Sequence, residues 1–337
     1  MEALLYEKLD GQKVRCRLCS HRCLISEGDR GLCGVRENTA GTLATLVYGR
    51  LVARHVDPIE KKPIFHMMPG SLSYSIATVG CNFRCLFCQN ADIAQMPADR
   101  KGLILGDPTT PEAVVADALA SGCRSIAYTY TEPTVFFEFA LDTARLAKEK
   151  GLRNVFVTNG YMSAVALTLI GTYLDAANVD LKVFTKDFYK TQCGSRLEPV
   201  KETLKAMTKM GLLVEVTTLL IPGLNDDENE LKELSGFIAS ELGPGTPWHV
   251  SRFHPTYRLT DRPPTPIATL TRAREIGLAQ GLLYVYTGNI PGDAGEHTFC
   301  PKCQKLVIER RGFQILRYAL KHGQCQACGE RVHGVGM

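Results

Sequence analysis

Residues 79–90 read VGCNFRCLFCQN and place Cys81, Cys85 and Cys88 in a Cys-x3-Cys-x2-Cys pattern. Three thiolates from one short loop suit an iron–sulfur cube, which usually takes four cysteine ligands. Three leave one iron without a protein ligand, and an open coordination position lets a metal do chemistry as well as hold structure. Just upstream, Tyr74–Val79 alternates and is partly β-branched, so it reads as a strand with the cysteines on the loop leaving its C-terminal end. Active sites of (β/α) barrels are built from such loops. The competing reading is a zinc knot, but a closed zinc site wants four ligands. No fourth Cys or His lies nearby; His66 is fifteen residues upstream.

Outward from this loop, strand and helix patterns alternate from residue 74 to 290. Strands are predicted over 74–79, 125–130, 154–159, 177–183, 213–221 and 248–253. Helices are predicted over 111–121, 135–150, 163–173, 197–210, 227–242 and 266–280, each with apolar residues at i, i+3, i+4. Several close on a glycine near the expected C′ position, as at Gly122, Gly151, Gly211, Gly243 and Gly281. Six strands, each followed by a helix, argue for an α/β fold of parallel units with right-handed crossovers. Six fall short of the eight units of a closed barrel. Leu282–Tyr286 would extend one edge, and Leu43–Tyr48 with Leu51–Val56, around Gly49-Arg50, predict a hairpin ahead of the core.

The strand ends carry polar residues. Glu132 follows the second strand, where a carboxylate also suits a helix N-terminus. Thr158-Asn159-Gly160 is a turn by composition. Asp180 and Lys182 share one face of their strand, and such a pair is costly inside an apolar fold unless paired or ligand-bound. His254 sits at the sixth strand end, where a satisfied histidine before a proline turn is the rival reading. Cys193, on a loop after the fourth strand, is expected to be an inert core thiol.

Of thirteen cysteines, eleven fall in three clusters. Cys16, Cys19, Cys23 and Cys33 can close a zinc site or hold a complete second [4Fe–4S] cluster, and their spacing does not decide between them. Cys300, Cys303, Cys325 and Cys328 form two knuckle pairs, the pattern of a zinc ribbon with a structural or docking role. Segment bounds follow: a four-cysteine module over 1–40, a hairpin and lead-in over 41–73, a core over 74–292 and the ribbon over 293–337.

A 337-residue chain with 45% hydrophobic and 22% charged residues is ordinary globular protein with room for one barrel and small appendages. A formal charge of +4 demands neither nucleic acid nor a membrane, and no apolar run reaches the roughly 18 residues of a spanning helix. MEALLYEKLD lacks the apolar stretch of a signal peptide. Clustered thiols without a secretory signal predict a reducing cytoplasm.

The segment Cys81–Cys88, with aromatic Phe87 before its third cysteine, resembles the cluster motif of the radical S-adenosylmethionine (SAM) superfamily. The resemblance implies an open (β/α)6 barrel of TIM type. It implies a [4Fe–4S] cluster whose open iron is chelated by the amino and carboxylate groups of SAM. One electron then cleaves SAM to methionine and a 5′-deoxyadenosyl radical, while the protein positions and insulates the cofactor. Phe87 and Asn90 belong to the motif loop. Glu132 takes the place of the carboxylate that meets the SAM ammonium, although Tyr130-Thr131 stands where many members have Gly-Gly. Asn159 matches the position facing the nucleoside. Asp180-Leu181-Lys182 is similar to an element beside the SAM ribose and carboxylate in activating enzymes of glycyl-radical enzymes, and His254 to a histidine on the nucleoside side.

Further stretches resemble one branch, the radical SAM enzymes of the AmmeMemoRadiSam system, related to pyruvate formate-lyase activating enzymes. They are Cys16–Gly34, Asp57–Pro63, the cluster loop with Cys88–Asn90, Tyr128–Pro133, Thr158–Gly160, Arg196–Val200, Arg252–Pro255, Thr287–Gly292 and the ribbon. The branch implies companion proteins of the AMMECR and Memo types, and the chemistry implies an electron donor of flavodoxin or ferredoxin type. Two other classes compete. A zinc or iron–sulfur nucleic-acid-binding protein would show salt-dependent binding but leaves the three-cysteine loop unexplained. A plain electron carrier needs four ligands at every cluster.

Overall fold

The computed structural model describes residues 1–290 and 292–337, so Pro291 of the Thr287–Gly292 stretch lies outside the described residues. Its centre is an eight-stranded sheet. The strands, in chain order, are β1 (Ala53–Pro58), β2 (Leu72–Ala77), β3 (Ser125–Tyr128), β4 (Arg153–Thr158), β5 (Ala176–Asp180), β6 (Leu213–Leu220), β7 (Trp248–Arg252) and β8 (Val285–Gly288). They lie side by side in that same order. All are parallel from β2 onward, and only β1 runs antiparallel, against β2. Every crossover therefore advances the sheet in one direction, and all seven parallel strands end on the same side.

Local chemistry explains these elements. In β3 all four residues are buried, and in β5 all but Asp180, as expected of strands covered on both faces. The crossover helices start on side-chain caps: Thr110 accepts from the Ala113 amide, Ser163 from Ala166, and Asp227 from Asn229 and Glu230. The helices Pro111–Ala120, Phe137–Glu149, Ala164–Gly171, Leu197–Lys209 and Ile267–Ala279 fall where the apolar period predicts them. The 227–242 segment is helical as expected, but its last turn, Ile238–Leu242, is a π-helix. The edge strand forms three residues later than predicted, because Leu282 and Tyr284 are spent on packing. The helix Lys186–Cys193 is an addition. It buries only Phe188, Tyr189 and Cys193, too sparse a pattern to stand out from a loop.

The predicted hairpin around Gly49-Arg50 does not form. Thr42–Thr45 pairs with Arg36–Thr39 instead. Ala40 and Gly41 between them both take positive φ, 51° and 75°, as a two-residue hairpin turn requires. Gly49 also has positive φ, and a Cβ there would meet the Thr109 carbonyl at 2.6 Å. The turn is used to bring Arg50–Leu51 against Asp107–Pro108. The chain beyond it then becomes β1, which closes one sheet edge.

A three-stranded antiparallel sheet (Thr298–Phe299, Leu306–Arg311, Gln314–Tyr318) forms the C-terminal segment. Its core residues Val307, Ile308, Leu320 and Val332 pack with Tyr284 and Tyr286 at β8 and with Phe65. Arg310 is buried there, stacked 4.2 Å above the Phe65 ring and donating to the Phe65 carbonyl at 3.0 Å.

Candidate active site

A cavity of about 350 Å³ opens at the C-terminal ends of the parallel strands. Strand periodicity aims alternate residues into it: Asn178, Asp180 and Lys182 from β5 and its exit, Thr217 and Leu219 from β6, His249 and Ser251 from β7. Cys81, Cys85, Phe87, Cys88 and Asn90 line it from the loop after β2, Glu132 from the loop after β3, and Asn159 from the end of β4. Nine of the ten residues singled out for this site from the sequence are thus gathered around one space.

His254 is the exception. It is exposed and lies outside the cavity lining. Strand β7 ends at Arg252, and Phe253 takes the buried position, its amide donating to Thr265 Oγ1 at 3.0 Å. The next residue is turned out to solvent. Ser251 and His249 are the residues by which β7 reaches the cavity.

The cysteine loop is held by backbone bonds to the end of the unpredicted helix: Arg84 N to Cys193 O at 2.9 Å and Leu86 N to Gln192 O at 3.0 Å. Cys193 is fully buried beside Cys85 and is not among the residues that line the cavity. Among the described residues, the sulfurs of Cys81, Cys85 and Cys88 do not gather within 4.8 Å. A tetrahedral zinc with Zn–S near 2.3 Å holds its sulfurs about 3.8 Å apart, so the triad is too wide for one such ion. Thiolates at separate corners of a cube are spread in this way. The residues present fit a three-ligand cluster.

Polar partners set each remaining side chain. Glu132 is buried; its Oε1 accepts from Thr134 N (3.0 Å), Thr134 Oγ1 (2.5 Å) and Thr158 Oγ1 (2.7 Å), its Oε2 from Asn159 N (2.8 Å). Burial raises its pKa against these donors. It therefore caps the turn Pro133–Phe136, as a helix N-terminal carboxylate would, while Oε2 keeps capacity for a cation. Lys182 Nζ lies 2.7 Å from Asp180 Oδ2. Burial is the largest influence and would lower the lysine pKa, but the charge and hydrogen bond of Asp180 together with the nearby Cys85 and Cys193 raise it. Asn159 Nδ2 donates to Asn82 Oδ1 at 2.7 Å, and Asn90 Nδ2 to the Tyr130 carbonyl at 2.7 Å.

Tyr130 occupies the glycine position of the motif in a glycine-like conformation, φ 64°. The stretch Asp57–Pro63 explains how a tyrosine is kept there. The Tyr130 hydroxyl donates to the Asp57 carboxylate, and Lys62 Nζ stands 4.5 Å above its ring. Lys62 and Lys61 also donate to Asp57, at 2.6 and 2.8 Å. Burial works against the charge, yet these three donors hold the Asp57 carboxyl well below its usual range. Burial pulls Lys62 down to about 8. Composition alone marks this stretch only as a charged loop.

The far wall was also unmarked in the sequence. The buried Glu215 carboxylate accepts from His249 Nε2 at 2.7 Å and from the amides of Phe65 and His66 at 3.1 and 2.8 Å. Asn178 Oδ1 and Thr217 Oγ1 line the same wall, buried and without a partner among the described residues. Period 2 along predicted strands was the signal that could have found them.

The other cysteines form two separate groups. Cys16, Cys19, Cys23 and Cys33 line a second, smaller cavity together with Asn82. Cys300, Cys303, Cys325 and Cys328 bring all four sulfurs within 4.8 Å, with 3.5 Å between Cys300 and Cys328 and 3.8 Å between Cys303 and Cys325. That set could hold a single metal ion.

Comparison with known proteins agrees with this geometry. Residues 75–234 match the model of the radical SAM superfamily. The chain is 48% identical over 333 residues to an uncharacterized protein of Methanocaldococcus jannaschii, covering 98% of both chains. It is 25% identical over 166 residues to the pyruvate formate-lyase-activating enzyme of Clostridium pasteurianum, covering 47% of this chain and 66% of that one. The fold is shared with Streptococcus suis SuiB bound to precursor peptide SuiA, at TM-score 0.52 and 14% identity over 69% of this chain and 52% of that chain. The chain belongs to the radical SAM superfamily, with relatives among the pyruvate formate-lyase-activating enzymes.

Proposed function

We propose that the protein cleaves SAM reductively at a [4Fe–4S] cluster held by Cys81, Cys85 and Cys88. The carrying observation is that these three thiols face the same cavity as Glu132, Asn159, Asp180 and Lys182. When bound, the cluster and SAM supply one-electron cleavage to methionine and a 5′-deoxyadenosyl radical, which abstracts hydrogen from a substrate. The residues do the positioning. Glu132 Oε2 offers a carboxylate to the SAM ammonium. Lys182, its charge held by Asp180, offers a cation to the SAM carboxylate, and Asp180 accepts from the ribose. Asn159 braces the loop at Asn82, and Phe87 and Leu219 keep the cavity wall apolar and exclude water.

The sequential strand order and six helical crossovers support the partial (β/α)6 barrel of the superfamily for residues 74–292. The 1–40 module, the 41–73 lead-in and the 293–337 ribbon flank it. The compact sulfur set of Cys300, Cys303, Cys325 and Cys328 supports zinc there. The stretches resembling the AmmeMemoRadiSam branch support that assignment, and one of them, Asp57–Pro63, builds the Tyr130 wall. We place the protein in the cytoplasm, served by a flavodoxin- or ferredoxin-type donor and by companions of the AMMECR and Memo types. Hydrogen abstraction from a protein glycine is one version of the reaction, supported by the activating-enzyme relatives.

The test is anaerobic. Protein reconstituted with iron and sulfide is reduced, given SAM, and assayed for 5′-deoxyadenosine beside a Cys81→Ala/Cys85→Ala/Cys88→Ala variant. Product from the wild type alone supports the reading. An intact, reducible cluster that yields no product, with or without the companion proteins, overturns it.

A further inference from the structure

The N-terminal cysteines form a site of their own. Cys16, Cys19, Cys23 and Cys33 are all free thiols lining one cavity. Cys16 ends one strand of a small antiparallel sheet (Tyr6–Lys8, Val14–Cys16, Leu24–Ile25), Cys19 and Cys23 lie on the turn to its last strand, and Cys33 lies on the loop beyond. The rest of the wall is largely apolar, including Leu18, Ile25, Leu32 and Val135. One cation enters: the buried Arg36, whose Nη1 lies 3.7 Å from Cys16 Sγ and whose other end is bonded to Glu138. Four thiolates around a metal centre leave net negative charge in a dry site, and a buried guanidinium offsets part of it.

The two other cysteine groups of the chain serve as internal rulers. The C-terminal four draw together within 4.8 Å, close to the roughly 3.8 Å sulfur spacing of a tetrahedral zinc. The Cys81 triad does not, and neither, among the described residues, does any three of the N-terminal four, with or without His21. His21 is engaged elsewhere, with Nε2 at 2.7 Å from the Asn82 carbonyl.

We infer that Cys16, Cys19, Cys23 and Cys33 hold a second, fully ligated [4Fe–4S] cluster rather than zinc. Its place bears on the main site. Asn82 lines the N-terminal cavity while Cys81, one residue before it, lines the larger one, and Asn82 Nδ2 is buried without a partner among the described residues. The Cys33 carbonyl would meet a Cβ on Gly80 at 3.2 Å, so the two cysteine loops are in packing contact. The cluster assignment does not depend on SAM cleavage.

Metal counting on the protein purified without oxygen from iron-replete cells decides it. The wild type should carry about eight iron, about eight acid-labile sulfide and about one zinc per chain. The Cys81→Ala/Cys85→Ala/Cys88→Ala variant should keep about four iron and four sulfide, with the Mössbauer signature of a four-thiolate cube. Adding Cys16→Ala and Cys33→Ala should remove that iron and leave zinc unchanged, with gel filtration and circular dichroism checking the fold. A wild type with about four iron and two zinc overturns the inference, and so does a triple variant without iron; the wild-type count needs no substituted chain.

Discussion

Asn159 and Asn82 meet through a 2.7 Å bond from Nδ2 to Oδ1 across 77 residues of sequence, and the same Nδ2 lies 3.8 Å from Cys81 Sγ. Asn159 Oδ1 meanwhile accepts from the Tyr161 amide at 3.0 Å. One side chain thus ties the end of β4 to the first cysteine of the loop. Asn159→Ala removes the tie and leaves the buried Asn82 amide without its donor. Partners of this kind typically cost 10–100-fold in metal affinity or activity when removed. Iron loss to a chelator should become about tenfold faster, and 5′-deoxyadenosine formation should fall in proportion. An iron-loss rate equal to wild type would show that the tie is idle.

The buried thiol of Cys193 beside Cys85 is the one nearby candidate for a fourth ligand to this cluster among the described residues. It lies outside the cavity lining, whereas the triad faces inward. Cys193→Ser should therefore retain all the iron of the wild type and bind SAM, read as a shift of the cluster's electron paramagnetic resonance signal on SAM addition. Loss of about four iron with this single change would give the cluster four protein ligands and no open position.

Arg36 and Glu138 form an ion pair with both side chains 1% exposed, joining the N-terminal module to the helix Phe137–Glu149. Breaking such a pair from one side strands a buried charge at a cost of about 3–5 kcal/mol, whereas replacing both partners is often neutral. Arg36→Met should lower the urea midpoint sharply, and Arg36→Met/Glu138→Leu should recover most of the loss. If the double variant is as unstable as the single one, the guanidinium contributes through Cys16 rather than through Glu138.

Much of this architecture is legible in the sequence because its units are local. The repeating apolar period sets the helices, and the cysteine loop announces itself by spacing. Tertiary choices are less visible. Leu51–Val56 carries the pattern of a hairpin arm, yet from Ala53 onward the chain pairs with β2 because an uncovered sheet edge is available and Gly49 turns the chain away. His254 reads as a strand-end ligand, but one residue decides which side of the sheet a chain leaves by, and Phe253 takes the inner position. The Asp57–Lys62–Tyr130 group is invisible in advance, since its members meet across 73 residues.

His66 gives a pH test. Its ring is fully buried, with Nδ1 at 2.5 Å from the His333 carbonyl and Nε2 at 2.6 Å from the Tyr286 hydroxyl. Burial lowers its pKa from 6.5 to about 4, against the pull of the nearby Glu215 and with Arg310 and His249 opposing charge. In the folded protein the neutral ring donates from Nδ1 and accepts from Tyr286. Between about pH 6.5 and 4 the unfolded chain holds one proton that the folded chain does not. This contribution to stability is complete above pH 6.5 and is lost as pH falls through the window, with a limiting slope of about 1.4 kcal/mol per pH unit. His66→Gln keeps a donor and an acceptor but does not titrate. Urea unfolding at pH 4.5, 5.5 and 7 should show wild-type stability falling more steeply than that of the variant, by up to that slope. Ribbon metal released in acid affects both chains alike and cancels in the difference. Parallel slopes would mean that His66 takes up its proton without leaving the folded state.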